Sequence, residues 1–526
     1  MEKYAVTDTN DQLYDFFGVH RLDEKDNIYK YIFRIAYIKA KRVELIGDFI
    51  SGSVALNKTA DGIWEILYES DIPIEGMRYR YKIFSDGEIS IIADPFSRLA
   101  DASNASIIVD PESSTENDNY TRDIFLYEHP MNICVVDIAC LNSKYYFSSG
   151  IYVNYREISS QIIEHLEYMS YTHLELTSKI TYGSFCLDSN YGSIDDFKFF
   201  IDSLHREGKG IILDIHFNKD NENMFFYGSE GFRSFVISTV MYWFRKFNID
   251  GIKLDLQELK LYGDEKYLLE LLGFLNKKIH SEIPGAFLIA NDHLSECALT
   301  APLNKGGAGF SFKLNRGWLA DLLDYLKSDS NSKQKKQSQI TFSLNHACVE
   351  QFILPITEKA SEINILPNKI SNIKLLLGNL MLHQGKKSMF EFDFLNSSES
   401  IKNYRYALNS FYINNEALWE LDNDKKGFKW IACDREHDCV IVFKRFSQKY
   451  SEILCIFNFS LEDKRDYSIN NLVSGTLYRE VFNSDDLKFG GAGRKNNEII
   501  EISDSREMLL RLPPLSVVIF EPVEKH

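Results

Sequence analysis

The residues best suited to chemistry stand at the ends of short apolar runs. Three such runs, in the middle of the chain, end at Asp214, Asp255 and Asn291. A carboxylate can attack an electrophilic carbon or exchange a proton, as Asp214 or Asp255 would. The amide of Asn291 can do neither. We therefore expect a site in which two strand ends carry a carboxylate and the third, at Asn291, carries an amide.

Each of these runs follows a segment with helical periodicity. Apolar strands that alternate with amphipathic helices indicate a parallel sheet, and the number of units between residues 131 and 404 indicates a closed (β/α)8 barrel, the TIM barrel. In such barrels the carboxyl ends of the strands carry the chemistry. The three polar residues are therefore predicted to lie on one face of the barrel.

The flanking segments have a different pattern. Short β-rich runs with turn signals between residues 16 and 110 predict a β-sandwich, and the polar stretch within 111–130 predicts a linker. Residues 1–15 are expected to form a tail, and 405–526 a small antiparallel β domain. The predicted fold class is thus multidomain, with a β-sandwich, an α/β barrel and a second β domain.

Composition excludes several classes of function. The chain has 526 residues, a net charge of -17 and a pI near 5.3, which disfavours nucleic acid and anionic membranes as partners but suits a neutral polysaccharide. It shows neither a signal peptide nor an apolar stretch long enough to span a membrane, so we expect a cytoplasmic protein. The 8 cysteines lack the spacing of zinc ligands, and no metal, nucleotide or other cofactor is expected.

A set of dispersed motifs carries a resemblance over nearly the whole chain. The motifs are Gly47-Asp48-Phe49, Ala93-Asp94-Pro95-Phe96, Tyr171-Thr172-His173-Leu174-Glu175-Leu176, Tyr191-Gly192-Ser193-Ile194-Asp195-Asp196-Phe197, Gly309-Phe310-Ser311-Phe312-Lys313, Asn315-Arg316-Gly317-Trp318, Asn415-Glu416-Ala417-Leu418-Trp419, Gly427-Phe428-Lys429-Trp430 and Phe489-Gly490-Gly491-Ala492-Gly493. In this order along the sequence, they resemble the bacterial 1,4-α-glucan (glycogen) branching enzymes of glycoside hydrolase family 13. The sandwich resembles carbohydrate-binding module family 48.

The resemblance implies a retaining mechanism with an aspartate nucleophile, and Asp255 occupies that position. The arginine expected two residues earlier is Lys253, which keeps the charge but loses the planar fork that orients a carboxylate. Asp255 is therefore either a retained site residue or a strand-end acid in an ion pair. Asp214, Lys253 and Glu358 match positions that the resemblance assigns to substrate binding.

The other two acids implied by the resemblance are absent. Asn291 replaces the glutamate that serves as acid and base, and Lys359 replaces the third acid. Asp292 follows Asn291, but neighbouring strand residues point to opposite faces, so we expect Asp292 to face away from the pocket. A cation at Lys359 could pair with Asp255.

Supporting positions differ as well. The loop before His216 looks shortened, so a sugar contact there cannot be assumed. The stretches 182–187 and 137–141 depart from the motifs of the family.

Two hypotheses follow. The first is a branching-enzyme homologue without catalytic activity that binds α-glucan or a protein partner of glycogen metabolism. The second is an active transferase with rearranged acids. Within the sandwich, Trp64 and Tyr81 are either platforms for a sugar or core residues, and strand aromatics favour the core.

Overall fold

The structure is a computed structural model. It describes residues 10–22, 28–59, 62–85, 87–109, 120–138, 154–177, 185–217, 229–260, 264–292, 298–391, 398–433, 436–449 and 451–523. In these ranges no helix is long and apolar enough to cross a membrane.

The N-terminal part is a sandwich of two antiparallel sheets. Alternation along the strands explains it, because Tyr31, Phe33 and Ile35, at every second position of strand β2, are fully buried between the sheets. One sheet has the order β1-β2-β6-β5, and the other contains β9-β10-β7-β3-β4 with β8 on β7. The strands are β1 Gly18–Arg21, β2 Tyr29–Ala36, β3 Arg42–Gly47, β4 Val54–Ala55, β5 Asn57–Lys58, β6 Ile63–Ser70, β7 Arg78–Ser85, β8 Glu88–Ile92, β9 Leu99–Ala100 and β10 Ser106–Ile107.

The central part is a closed barrel of eight parallel strands. Its order is β11-β12-β14-β15-β16-β17-β18-β19, and β19 pairs with β11 to close it. The strands are β11 Asn132–Asp137, β12 His173–Thr177, β14 Gly210–Ile215, β15 Gly251–Asp255, β16 Phe287–Asn291, β17 Phe312–Leu314, β18 Phe352–Ile356 and β19 Lys386–Phe390. A short additional strand, β13 Leu187–Asp188, lies outside the barrel sheet.

Helices surround the barrel. They are α1 Tyr155–Tyr168, α2 Ile194–Arg206, α3 Ser229–Phe247, α4 Leu256–Leu259, α5 Glu265–Glu282, α6 Arg316–Lys327, α7 Ser330–Asn345, α8 Lys369–Leu382 and α9 Glu399–Ile413. Their starts follow local sequence: Ser193 and Asp196 form a reciprocal capping box at α2, and Asn154 caps α1.

The C-terminal part is antiparallel. A six-stranded sheet has the order β20-β21-β22-β27-β24-β25, and β23 pairs with β26. The strands are β20 Phe428–Ala432, β21 Val440–Phe446, β22 Glu452–Asn458, β23 Lys464–Ile469, β24 Leu477–Asn483, β25 Ile500–Glu501, β26 Met508–Leu512 and β27 Ser516–Val523.

The sandwich packs against the barrel at several places in the described residues. Strand β13, which follows β12 in the barrel, pairs in parallel with β9 of the sandwich. Leu13 and Tyr14 are buried, and the amide of Leu13 donates to the hydroxyl of Ser238 on α3. Part of the segment expected to be a tail is thus packed on the barrel.

Two buried ion pairs stabilise the outer layers. Arg405 of α9 pairs with Glu391 at the end of β19 and donates to the hydroxyl of Tyr171. Arg445 of β21 pairs with Asp422 at the junction with the C-terminal sheet. The predicted boundary between residues 404 and 405 falls within α9, which packs against α8.

The three-part architecture and the closed barrel confirm the predicted fold class. Trp64 and Tyr81 both lie in the sandwich core, and the indole of Trp64 donates to the carbonyl of Tyr37. Their interpretation as core residues is therefore confirmed, and that as sugar platforms is wrong.

Candidate active site

The carboxyl ends of the barrel strands surround a cavity of about 360 Å³. All the barrel strands except β16 contribute to it, together with the first residue of α6. Its polar lining includes Glu175, Asp214, Lys253, Arg316, Glu358 and Lys359. Four of these are residues that the sequence analysis selected, and the barrel brings them to one place.

Asp255 and Asn291 are direct neighbours across two adjacent strands. They face each other in the register of β15 and β16, and the Asn291 amide donates from Nδ2 to Asp255 Oδ2 at 3.0 Å. The other oxygen of Asp255 accepts from the backbone amide of Gln257 at 2.9 Å, so Asp255 also caps α4. Both oxygens of the candidate nucleophile are thus engaged by neutral donors.

Arg316 completes this group from α6. Its Nε donates to Asn291 Oδ1 at 2.8 Å, which fixes the asparagine between a guanidinium and a carboxylate. Asn291 is buried and serves as a bridge. A bridging amide in this position neither gives up nor accepts a proton.

Asp292 has different partners. Its carboxylate is buried and lies 3.2 Å from the ammonium of Lys260, just beyond α4. The side-chain amide of Gln257 is 3.4 Å away. The described residues that line the cavity include neither Asp292 nor the neighbouring Asn291 and Asp255.

Lys253 forms its ion pairs with carboxylates other than that of Asp255. Its ammonium pairs with Glu175 on β12 and lies 2.8 Å from Asp214 Oδ2 on β14. In the part of the chain that the structure describes, no ion pair joins Lys253 to Asp255. A lysine two residues before a strand-end acid therefore binds across the barrel and does not orient its own strand's carboxylate.

Burial and neighbouring charges shift the pKa values of Lys253, Asp214 and Glu175 in opposite directions. Burial alone would lower the pKa of Lys253, but Asp214 and Glu175 outweigh it and hold the pKa above its usual range. Burial also tends to raise the pKa of Asp214, yet Lys253 and His216 keep it below its ordinary value. At Glu175 burial prevails, and the pKa is raised despite the neighbouring ammonium.

His216 extends the chain of charges. It lies 2.9 Å from Glu258 through Nδ1 and 3.6 Å from Asp214 through Nε2. Hydrogen bonds that His216 donates to the carboxylates of Asp214 and Glu258 raise the pKa of His216 to about 10. Glu175, Lys253, Asp214, His216 and Glu258 thus alternate in sign, and we call these five residues the charge ladder.

The raised pKa of His216 predicts a dependence of stability on pH. Because the folded pKa lies above the ordinary value of 6.5, the stabilising contribution is complete below pH 6.5 and disappears as the pH rises through about 10. We expect the melting temperature of the unaltered protein to fall more between pH 7 and 10 than that of the His216→Gln variant. Differential scanning calorimetry between pH 7 and 10 measures the melting temperatures. His129→Gln, at an exposed histidine, is the control, and parallel profiles for all three proteins would contradict the assignment.

Glu358 and Lys359 lie at the rim. Strand β18 ends at Ile356, and a 3-10 segment, Glu358–Ile365, begins there, so that both side chains are exposed to solvent. Among the described ranges no ion pair involves Lys359 and Asp255. The expected ion pair between Lys359 and the carboxylate of Asp255 is therefore not found, because strand β18 ends three residues before Lys359.

Three residues of the site were not predicted from the sequence to be functional. Glu175 and Arg316 occurred only within motifs used for the resemblance, and Glu258 received no role. An acid in the middle of an otherwise apolar strand, as at Glu175, was the available signal. The stretches 139–141 and 182–184 lie outside the described residues, and so does the loop that follows Phe217.

One described cluster has the spacing of metal ligands. Atoms of Cys134, His165 and Glu391 lie within 4.8 Å of one another. The guanidinium of Arg405, however, already neutralises Glu391, and the hydroxyl of Tyr171 donates to it at 2.9 Å. The protein itself supplies the cation at this position.

Comparison with known proteins agrees with the fold. Residues 16–97 match carbohydrate-binding module 48 (isoamylase N-terminal domain), and residues 430–523 match the alpha amylase C-terminal all-beta domain. Among solved structures, a pullulanase from Anoxybacillus sp. LM18-11, complexed with maltotetraose, aligns with a TM-score of 0.71 at 12% identity over 97% of this chain and 88% of that one.

Relatives of similar length provide the assignment. The 1,4-alpha-glucan branching enzyme GlgB of Oceanobacillus iheyensis is 30% identical, over 98% of this chain and 96% of that protein. GlgB of Fusobacterium nucleatum subsp. nucleatum is also 30% identical, over 92% of both chains. The chain therefore belongs to the family of 1,4-alpha-glucan branching enzymes.

Proposed function

We propose that this chain is a member of its family without catalytic activity, a glycogen branching enzyme-like protein that binds α-glucan or a protein partner but transfers no chains. The contact between Asp255 and Asn291 carries the proposal. A retaining mechanism needs a nucleophile and, within about 5–5.5 Å, a second carboxyl group that protonates the leaving oxygen. At the position that faces the nucleophile, this chain has an amide.

The neighbouring acids offer no replacement. Asp292 is engaged with Lys260, and Glu358 is exposed at the rim beyond the end of β18. Loss of an essential catalytic group raises the barrier by roughly 4–8 kcal/mol, which lowers the rate by about three to six orders of magnitude.

The charge ladder supports the same proposal. Its carboxylates are satisfied by Lys253 and His216 within the protein, and Lys253 leaves Asp255 without the cationic neighbour that the resemblance implies. With three carboxylates and two cations, the charge ladder compensates most of its own charge within the folded barrel. It offers little to a positively charged transition state that forms only during reaction.

We expect the purified protein to leave amylose unbranched. With the Oceanobacillus iheyensis relative as positive control, iodine absorbance and counting of α-1,6 linkages after debranching measure the reaction. A rate at least a thousandfold below that of the control is the expected result, since one essential group is missing. New α-1,6 linkages within tenfold of the control would instead establish the alternative, an active transferase with rearranged acids.

Glucan binding is a separate part of the proposal. Retention on a glycogen affinity gel would support it, and absence of retention would leave a protein partner, such as an active branching enzyme or another enzyme of glycogen metabolism. The family relationship also leads us to propose a cytoplasmic location. The bridging role of Asn291 affects neither point, because binding requires no proton donor.

A further inference from the structure

Two tyrosines form an exposed aromatic surface on the outer wall of the barrel. Tyr168 is the last residue of α1, and Tyr406 lies in α9. Their rings are 5.4 Å apart between centroids and inclined by 19°. The exposed fractions are 50% and 44%, so each ring presents about half of its surface to solvent. We call this pair the tyrosine platform.

The platform is far from the candidate active site along the barrel axis. Helix α1 leads through Met169 and Tyr171 to His173, the first residue of β12. Tyr168 therefore lies toward the amino ends of the strands, whereas the cavity opens at their carboxyl ends. The two sites can act independently.

Buried neighbours hold the platform in place. Asn409, three residues after Tyr406, donates to the carbonyl of Met169 at 2.7 Å. Arg405, the residue before Tyr406, donates to the hydroxyl of Tyr171 at 2.9 Å. Both are fully buried. Each tyrosine therefore lies next to a residue held by a buried hydrogen bond. A ligand that binds here would lose little free energy in ordering the two side chains.

The size of the platform argues against a second copy of the chain. An aromatic side chain presents 150–250 Å², so two half-exposed tyrosines offer roughly 200 Å². A stable protein interface needs about 800 Å² on each partner. A sugar ring needs far less area, and an aromatic face with a hydroxyl at its edge suits both its apolar and its polar atoms. The net charge of -17 favours a neutral polymer over an acidic one.

The sandwich does not supply such a surface. Trp64 and Tyr81 are buried, and the large apolar residues that are exposed in its described part are aliphatic: Leu22, Ile38, Leu67, Ile72, Ile89 and Ile91. Aliphatic side chains lack the flat face against which a sugar packs. Outside the barrel cavity, the tyrosine platform is one of the exposed aromatic surfaces of the described residues, and the stacked rings of Phe342 and His346 form another.

We propose that Tyr168 and Tyr406 bind a short stretch of α-glucan chain on the outer wall of the barrel; this inference rests on the glucan binding proposed above. The tyrosine platform anchors the polymer independently of the barrel cavity. Binding is dominated by contact between ring and sugar, and it depends little on salt because neither partner is charged there.

Affinity electrophoresis through gels with increasing glycogen tests the proposal. For the double variant Tyr168→Ala and Tyr406→Ala, we expect the dissociation constant to rise about tenfold, which corresponds to about 1.4 kcal/mol. The double variant with phenylalanine at both positions keeps the rings and is expected to stay within about threefold of the unaltered protein. Phe342→Ala is the matched control, since Phe342 is an exposed aromatic residue, 58% accessible, on α7.

The outcomes separate the two proposals. No retention of the unaltered protein would overturn glucan binding altogether. Retention of the unaltered protein and the alanine variant with equal constants would overturn the tyrosine platform alone. A melting temperature for the alanine variant close to that of the phenylalanine variant would show that lost retention is not lost folding. If light scattering found a dimer that the alanine variant abolishes, the surface would be a self-association site and the inference would be wrong.

Discussion

Replacing Lys253 with methionine is expected to lower the free energy of unfolding by about 3–5 kcal/mol at neutral pH. The substitution removes the cation that Glu175 and Asp214 share and leaves these two carboxylates side by side with His216 as the remaining cation of the charge ladder. Urea denaturation followed by fluorescence measures the loss. We expect the loss to shrink in acid, because protonated carboxyl groups no longer repel each other.

Lys359→Met provides the matched control. This lysine lines the same cavity but is exposed at the rim, so its removal is expected to change the free energy of unfolding by no more than about 0.5 kcal/mol. Equal losses for the two variants, or a loss below about 1 kcal/mol for Lys253→Met, would show that the charge ladder does not stabilise the barrel.

A similarly large loss of stability is expected when a buried charge is removed at the junction of the barrel with the C-terminal sheet. Asp422 is buried 2.9 Å from Arg445 and 3.7 Å from Lys386, both of which are also buried. Asp422→Asn keeps the shape of the side chain but removes the only negative charge of this group within the described residues. We expect it to destabilise the protein by about 3–5 kcal/mol.

Asp424→Asn, two residues away, is the control for this measurement. Asp424 is exposed and caps a short 3-10 turn, a role that asparagine fills equally well. Thermal and urea denaturation of both variants provide the comparison. If the Asp422→Asn variant melted at the same temperature as the unaltered protein, Arg445 and Lys386 would have to be compensated by another group, or Lys386 would have to be uncharged.

The barrel and its site positions followed from local pattern. The runs that end at Asp214, Asp255 and Asn291 are strands β14, β15 and β16, and the period of two predicted the direction of Asp292. These features depend on residues close in sequence. The burial of Trp64 followed from the same reasoning, because an aromatic residue in an alternating strand belongs to the core.

The partners of the charged residues could not be predicted in the same way. Lys253 binds Glu175, which is 78 positions away in sequence, and Asn291 meets Arg316 of the next unit. These contacts depend on the closure of the barrel and on which way a flexible side chain turns. Lys359 illustrates the same limit: its position in the motif suggested a partner at Asp255, but the chain had already left the strand.

The pairing of β13 with β9 affects how the molecule folds. A strand that follows β12 of the barrel completes the edge of a sandwich sheet, across about 88 positions of sequence. A sandwich separated from the barrel would expose the backbone groups of β9 as an open edge, which is a template for association with other chains. A segment between two barrel strands therefore belongs to a hydrogen-bonded sheet of the sandwich, and because its partners are distant in sequence we expect this sheet to be completed late in folding.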